Sequence, residues 1–379
     1  MLSGGSDMAL TKYRIGQLIR VVDERNLFGI NNFYGININK EFMPTVANTE
    51  GLDESNYKVV RKNRFVFSGM QTGRDECIRI SMYMGDNPII VSPAYTTFEI
   101  VAKENILPTY FFMVFLSKER DRLGWFYSDG SIRSNLDWDR FCDIQLNLPD
   151  IPTQQKYVDI YNAMVSNQQA YERGLEDLKI VFTGYIEDLR RKGSLHKIGD
   201  YITPFNEKNR DELITLEQGI NINKEFITPQ RSNSNLQGRK IVRHGQFAYC
   251  TQLNNANVAI AYRSGEDCVV SSVYDVFEIT RKEELIPEYL LVWLIRPEFG
   301  RYVYWASEGS AYEFLNYNNL GNYKIPVPNI NIQKAIAEMY TVYIERKRIN
   351  EQLKTQIKDI CPILIKGALE QCYIPNDMA

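Results

Sequence analysis

The chain has 379 residues, 44% of them hydrophobic and 24% charged, with a formal net charge of -3. That length accommodates two or three domains, and the balance is that of a soluble globular protein with a sizeable core. The net charge argues against a surface that is basic throughout, so any face for a polyanion has to be local.

The opening MLSGGSD before Met8 reads as an appended segment and stays outside the fold argument. No apolar run reaches the length of a membrane span, and no signal-peptide pattern is present. Cys77, Cys142, Cys250, Cys268, Cys361 and Cys372 form no C-x-x-C pair, and the two histidines, His196 and His244, lie far apart. Free thiols in a reducing cytoplasm are therefore expected in preference to a zinc site.

From Tyr13 to Leu148 the chain is rich in short β-type runs such as KVVRKNRFVF and NPIIVS, separated by Gly-Asp and Asn-Pro turns. One helix is expected in PTYFFMVFLSKE, with Pro108 near its start. From Gln154 the apolar period changes: Tyr171, Leu175, Leu178, Phe182, Tyr185 and Leu189 step alternately by four and three, a coiled-coil seam. About 40 residues of such helix would be about 60 Å long.

The same order then returns. The octapeptide GININKEF at 35–42 recurs letter for letter at 219–226. YKVVRKNRFVFS parallels RKIVRHGQFAYC, and ENILPTYFFMVFLSKE parallels EELIPEYLLVWLIRPE. YSDGSIRSNLDW parallels ASEGSAYEFLNY, and LPDIPTQQK parallels VPNINIQKA. The offset drifts from 184 to 179 residues, as small loop indels produce. A pair of halves this large is a domain duplication, since solenoid repeats run to roughly 20–50 residues. The second seam is carried by Leu353, Ile357, Ile360 and Leu364. Gln168 and Asn350 fall on or beside the seams, where a buried amide can fix register. Thr183-Gly184 and Cys361-Pro362 occupy equivalent places, and a bend is expected at each.

The expected fold class is α+β, with two homologous, mostly-β domains and two long antiparallel helices related by an internal pseudo-two-fold. The expected boundaries are a domain at 8–150, a helix at 151–193, a second domain at 194–328 and a second helix at 329–373. Packed as one rod, the helices would hold the two domains apart at a fixed distance. That arrangement suits duplex DNA, whose equivalent groove faces recur about every 34–36 Å.

No catalytic constellation is present: no Ser-His-Asp or Cys-His set, no phosphate loop, and no methyltransferase tetrapeptide. Candidate DNA-binding residues come from side-chain chemistry, because Arg, Asn and Gln pair with base edges while Lys neutralises phosphates. In the first half they are Lys58, Arg61, Lys62 and Arg64, with Gln71 and Arg74 in the loop MQTGRDE. In the second half they are Arg239, Lys240 and Arg243, with Thr251, Gln252 and Asn254 in YCTQLNNANVA. These two loops diverge inside an otherwise matched framework. Candidate helix-packing residues are Leu175, Leu178, Phe182, Tyr185, Leu353, Ile357, Ile360 and Leu364. Within the octapeptide, Gly35 and Gly219 are expected to make turns, Ile-x-Ile to enter a strand, and Lys40 and Lys224 to be exposed.

The run to VSPAYTTFEI, the turn LPDIPTQQK entering a long helix, and LKIVFTGYIEDLRRKG closing it, all in a duplicated layout, resemble the specificity subunit of type I restriction-modification systems. The resemblance covers nearly the whole chain. It implies two target-recognition domains, each reading half of a bipartite, asymmetric duplex site, with the helices as spacer. It implies two methyltransferase subunits docked on that scaffold and restriction-translocase subunits completing the enzyme. S-adenosylmethionine, ATP and Mg2+ would then be bound by those partners, and none by this chain. Two rivals remain at this stage: the same scaffold in a methylation-only defence system, and a two-headed protein-binding adaptor.

Overall fold

The computed structural model describes residues 10–45, 51–221, 223–229, 235–253, 258–307 and 314–371. The chain divides into two compact units. One comprises the residues up to Glu172 together with those from Asn350, and the other is the continuous stretch Arg173–Ile349. The two long helices, Ile151–Lys192 and Ile330–Glu370, each contribute one segment to each unit.

In the first unit a four-stranded antiparallel sheet has the order Ile19–Val21, Thr96–Ile100, Phe65–Ser68, Arg79–Met82. A second sheet runs Phe42–Pro44, Phe33–Ile36, Ile89–Val91, Lys58–Val60, with its central pair parallel. Thr11–Arg14 pairs with Gln145–Leu148 and closes the domain at its base. The second unit repeats the plan. Its four-stranded sheet is Ile202–Phe205, Tyr274–Ile279, Phe247–Cys250, Ile260–Tyr262, and Leu195–Lys197 pairs with Lys324–Pro326.

The centres of both cores are built alike. Phe65 and Phe98 are cross-strand partners whose rings stack with centroids 5.0 Å apart. Phe247 and Phe277 do the same at 5.0 Å in the second unit. Both pairs are fully buried, and the apolar helices Pro108–Val114 and Pro287–Leu294 cover them. Proline at the first helical turn starts each of these helices without losing a needed donor.

A buried glutamine locks each long helix to its own domain. Gln154 donates to the carbonyls of Asn105 and Pro149, both at 2.8 Å, and accepts from the Leu107 amide at 3.0 Å. Gln333 repeats the set with Glu284 O, Pro328 O and the Ile286 amide. Both side chains are completely buried with their amides satisfied. Gln154→Leu leaves three backbone groups without their partner. Each orphaned buried group costs about 1–3 kcal/mol, so a loss of roughly 3 kcal/mol is expected in urea titration, with an unchanged m-value.

Within each unit the two long-helix segments run antiparallel. Tyr157 faces Gly367 and Tyr161 lies beside Cys361 in the first unit, while Phe182 meets Tyr340 in the second. Gln168 and Asn350 are buried and bonded to each other at 3.0 Å, flanked by Glu172 and its ion pair with Lys354. Leu175 is buried, Leu178 and Phe182 are half-buried, and so are Leu353, Ile357, Ile360 and Leu364. Tyr185 corrects the heptad reading: it is 42% exposed, while its neighbour Ile186 is 1% exposed and joins the core of the second unit. Leu189, the next seam position, packs against that core again, so the departure is local to Tyr185. The expected bends do not interrupt either helix, since helical structure continues through Gly184 and through Pro362.

The repeated octapeptide is also corrected. Gly35 and Gly219 lie in strands, where the hydroxyls of Tyr95 and Tyr274 approach within 3.2 and 3.6 Å of where a Cβ would sit. The turn falls at 37–41 and 221–225, bridged by Asn37 to Glu41 and by Asn221 to Glu225, with Lys40 and Lys224 both at φ 64°. Neither lysine points to solvent. Lys40, 6% exposed, donates to Phe115 O at 2.5 Å and to Asp121 at 2.6 Å, and Lys224 donates to Leu294 O at 2.6 Å. Each hairpin thus inserts a cation at the C-terminal end of the short helix over its own core, where helix carbonyls lack partners.

Candidate nucleic-acid interface

Each domain hangs two loops beside one another. In the first unit, residues 69–78 join strands Phe65–Ser68 and Arg79–Met82, and residues 128–137 join helices Lys118–Tyr127 and Trp138–Asp143. They are clamped by the Leu136 amide on Gly69 O (2.8 Å), the Gly73 amide on Ser134 O (2.9 Å) and the Gln71 amide on the Asn135 side chain (3.0 Å). A Cβ at Gly69 would lie 1.9 Å from Leu136 O, so only glycine permits this approach. Asp129 organises the second loop, accepting from Ser131 and the Asn135 amide. The Ser131 hydroxyl holds its carboxyl below the usual carboxylate range.

The second unit uses the same clamp. The Leu315 amide donates to Thr251 O at 2.9 Å, and Gln252 bridges to Phe314. Thr251 is further tied by its hydroxyl to Val273 O. Asn254 lies outside the described residues.

The described loop face of the first unit is largely exposed. In the first unit Arg74, Arg122 and Arg133 are exposed and form no ion pair among the described residues. Beside them stand Met70, Trp125, Phe126 and Ile132, the last at 101% exposure. Exposed apolar and aromatic groups on a hydrogen-bonded loop mark a surface for contact. Arginines free of carboxylates can reach phosphates or base edges, and aromatic rings can stack on bases. The second unit exposes Tyr304 and Trp305 at the positions of Trp125 and Phe126.

The other basic residues singled out from sequence are brought together too, but at the opposite end of strand Phe65–Ser68 and against carboxylates. Lys58 donates to Tyr95 O at 2.8 Å and lies 3.5 Å from Asp23. Arg61 chelates Glu24, and Lys62 pairs with Asp86 at 2.7 Å. Arg64 is buried between Glu24, Glu99 and the Val59 carbonyl. In the second unit Lys240 donates to Tyr274 O and Asp275, and Arg239 lies 3.5 Å from Glu217. Arg243 is held by Glu207 and Asp267, which push its pKa above the ordinary arginine value. The homologous bonds of Lys58 and Lys240 to a tyrosine carbonyl show a shared structural duty. Reasoning from sequence missed the second loop and the exposed aromatics. The signal for them was the pairing of YSDGSIRSNLDW with ASEGSAYEFLNY, two segments that keep their ends and differ between.

No curated protein sequence matches the chain. Among solved structures, the S subunit of a type I restriction-modification system from M. genitalium aligns over 97% of this chain and 98% of its own. The TM-score is 0.57 at 11% identity, a likeness of fold. The HsdS subunit from Thermoanaerobacter tengcongensis aligns over 95% of this chain and 96% of its own, with a TM-score of 0.41 at 13% identity, too low to carry argument. The profile of the type I restriction modification DNA specificity domain matches residues 205–359, the second domain and most of its long-helix segment. The matched span contains one clamped loop pair, and the internal repeat supplies its counterpart in the first unit. No described helix is long and apolar enough to cross a membrane, and no described cluster of His, Cys, Asp or Glu has metal-site composition. Burial pushes the thiols of Cys77, Cys142 and Cys268 up to about 11 and that of Cys361 to about 12.

Proposed function

We propose that each unit of this specificity subunit reads one half of a bipartite, asymmetric duplex DNA site through its clamped loop pair. The carrying observation is that a homologous hydrogen bond, Leu136 to Gly69 O and Leu315 to Thr251 O, ties the loop pair in both units, while the loop sequences differ. A shared frame with divergent tips is what two different half-sites require. The long helices set the half-site spacing and dock two methyltransferase subunits, and restriction-translocase subunits join that core. S-adenosylmethionine, ATP and Mg2+ are held by those partners, and the specificity subunit itself contributes recognition without chemistry.

The test maps methylated adenines genome-wide when the chain is co-expressed with its cognate methyltransferase subunit. The expected result is a bipartite motif that vanishes when the chain is deleted and changes in one half when residues 197–328 are exchanged. A stable complex that methylates with no dependence on this chain overturns the reading in favour of a protein-binding adaptor. Arg74→Ala should weaken duplex binding about tenfold, the loss expected for one specific arginine contact. If Arg74 touches a base, the relaxation is confined to one base pair. If it touches phosphate, the loss is uniform and the salt slope falls by about one.

A further inference from the structure

A cavity of about 790 Å3 in the second unit sits among the end of the first long helix, the pair Leu195–Lys197/Lys324–Pro326 and helix Pro297–Ala306. Its wall is aromatic: Trp305, 79% exposed, lies beside Tyr302 with ring centroids 6.0 Å apart. Its rim is cationic. Lys197 and Lys324 are exposed and are register partners on adjacent antiparallel strands, so two like charges stand directly opposite each other. Neither forms an ion pair among the described residues, and Arg190 lines the same cavity. Like charges at directly opposed strand positions destabilise a sheet, and the carboxylate that lines the cavity, Glu298, is already paired with Arg296 and Arg301.

The first unit provides an internal control. There Arg14 takes the place of Lys197, Gln145 stands opposite it in place of Lys324, and Asp143 pairs with Arg14 at 3.3 Å where the second unit has Asn322. One copy of the duplicated domain neutralises this position from within, and the other leaves two lysines facing each other beside an exposed indole.

We infer that this cavity binds a nucleotide, its base against Trp305 and its phosphate between Lys197, Lys324 and Arg190. Aromatic wall and cationic rim together match an aromatic anion, and the volume is that of an ordinary ligand pocket. The nucleotide has two possible sources, a free mononucleotide or a nucleotide displaced from a DNA strand. The inference shares Trp305 with the proposed reading face, whereas Lys197 and Lys324 lie outside the two reading loops, so the lysine substitutions separate the two assignments.

The test is titration of the full chain, followed by tryptophan fluorescence, with deoxyadenosine monophosphate and separately with single-stranded oligothymidylate. Saturable quenching is expected, absent in Trp305→Phe. Lys197→Gln and Lys324→Gln should each weaken binding about tenfold, the loss of one charge-assisted contact. Arg14→Gln should change nothing, and Lys197→Arg should retain binding. Quenching by the mononucleotide identifies a free-nucleotide site, and quenching by the oligonucleotide alone identifies a nucleotide held within a strand. No saturable quenching by either probe, or quenching indifferent to both lysine substitutions, overturns the inference.

Discussion

Replacing Phe65 by alanine is expected to cost about 4 kcal/mol, because a large side chain leaves a cavity that a dense core cannot collapse. Its ring stacks on Phe98 and meets Phe111 edge-on with centroids 5.2 Å apart, so two aromatic contacts disappear together. Phe247→Ala should cost the same amount in the second unit, since Phe247 stacks on Phe277 with the same spacing. Denaturant unfolding monitored separately in each unit gives the measurement. Equal losses support two equivalent cores. A loss below 1 kcal/mol at either position would show that its stacked pair is dispensable.

The second large effect lies in the octapeptide lysines, where identical letters meet unlike surroundings. Lys40→Met removes one partner of a buried ion pair and strands Asp121, which otherwise accepts from Lys40 and from the Ile78 amide. Breaking such a pair costs about 3–5 kcal/mol. Lys224 has Leu294 O as its hydrogen-bond partner, and burial pushes its pKa down from 10.5 to about 8. A group whose folded pKa is depressed in this direction binds fewer protons folded than unfolded between about pH 8 and 10.5. Stability therefore rises with pH across that window. Below it the native state carries the full cost of a buried ammonium, while the neutral amine can still donate to Leu294 O. Stability of the second unit, measured from pH 7 to 10.5, should rise in the wild-type chain and lose that slope in Lys224→Met. A slope that persists in the variant assigns the titration to another group.

The duplication was legible because it is written in letters, and so were the helix starts at Pro108 and Pro287 and the amide pair Gln168–Asn350. The fate of the charges was not. Arg61 and Arg64 close on Glu24, roughly forty positions earlier in the chain, and Arg243 closes on Glu207. Such pairs depend on strand order, which no local pattern reports. Lys40 reads as a solvated turn residue until the hairpin is seen to end on a helix terminus 75 residues away in sequence. Tyr185 and Ile186 adjoin, and only the true helical pitch decides which one faces inward. Gln71 and Arg74 were singled out by side-chain chemistry, and the structure places them on the first clamped loop. Trp125, Phe126 and Ile132 escaped because apolar letters are read as core.

The division of the chain also bears on its synthesis. The second unit is a single continuous stretch, whereas the first needs residues from Asn350 onward. As the polypeptide leaves the ribosome, the earlier-made domain must wait with Tyr157, Val158 and Tyr161 uncovered by the segment carrying Cys361 and Ala368. The later-made unit can be complete first. Early termination after residue 349 would thus damage the half of the protein made earliest, leaving a sound second domain attached to an unfinished first one.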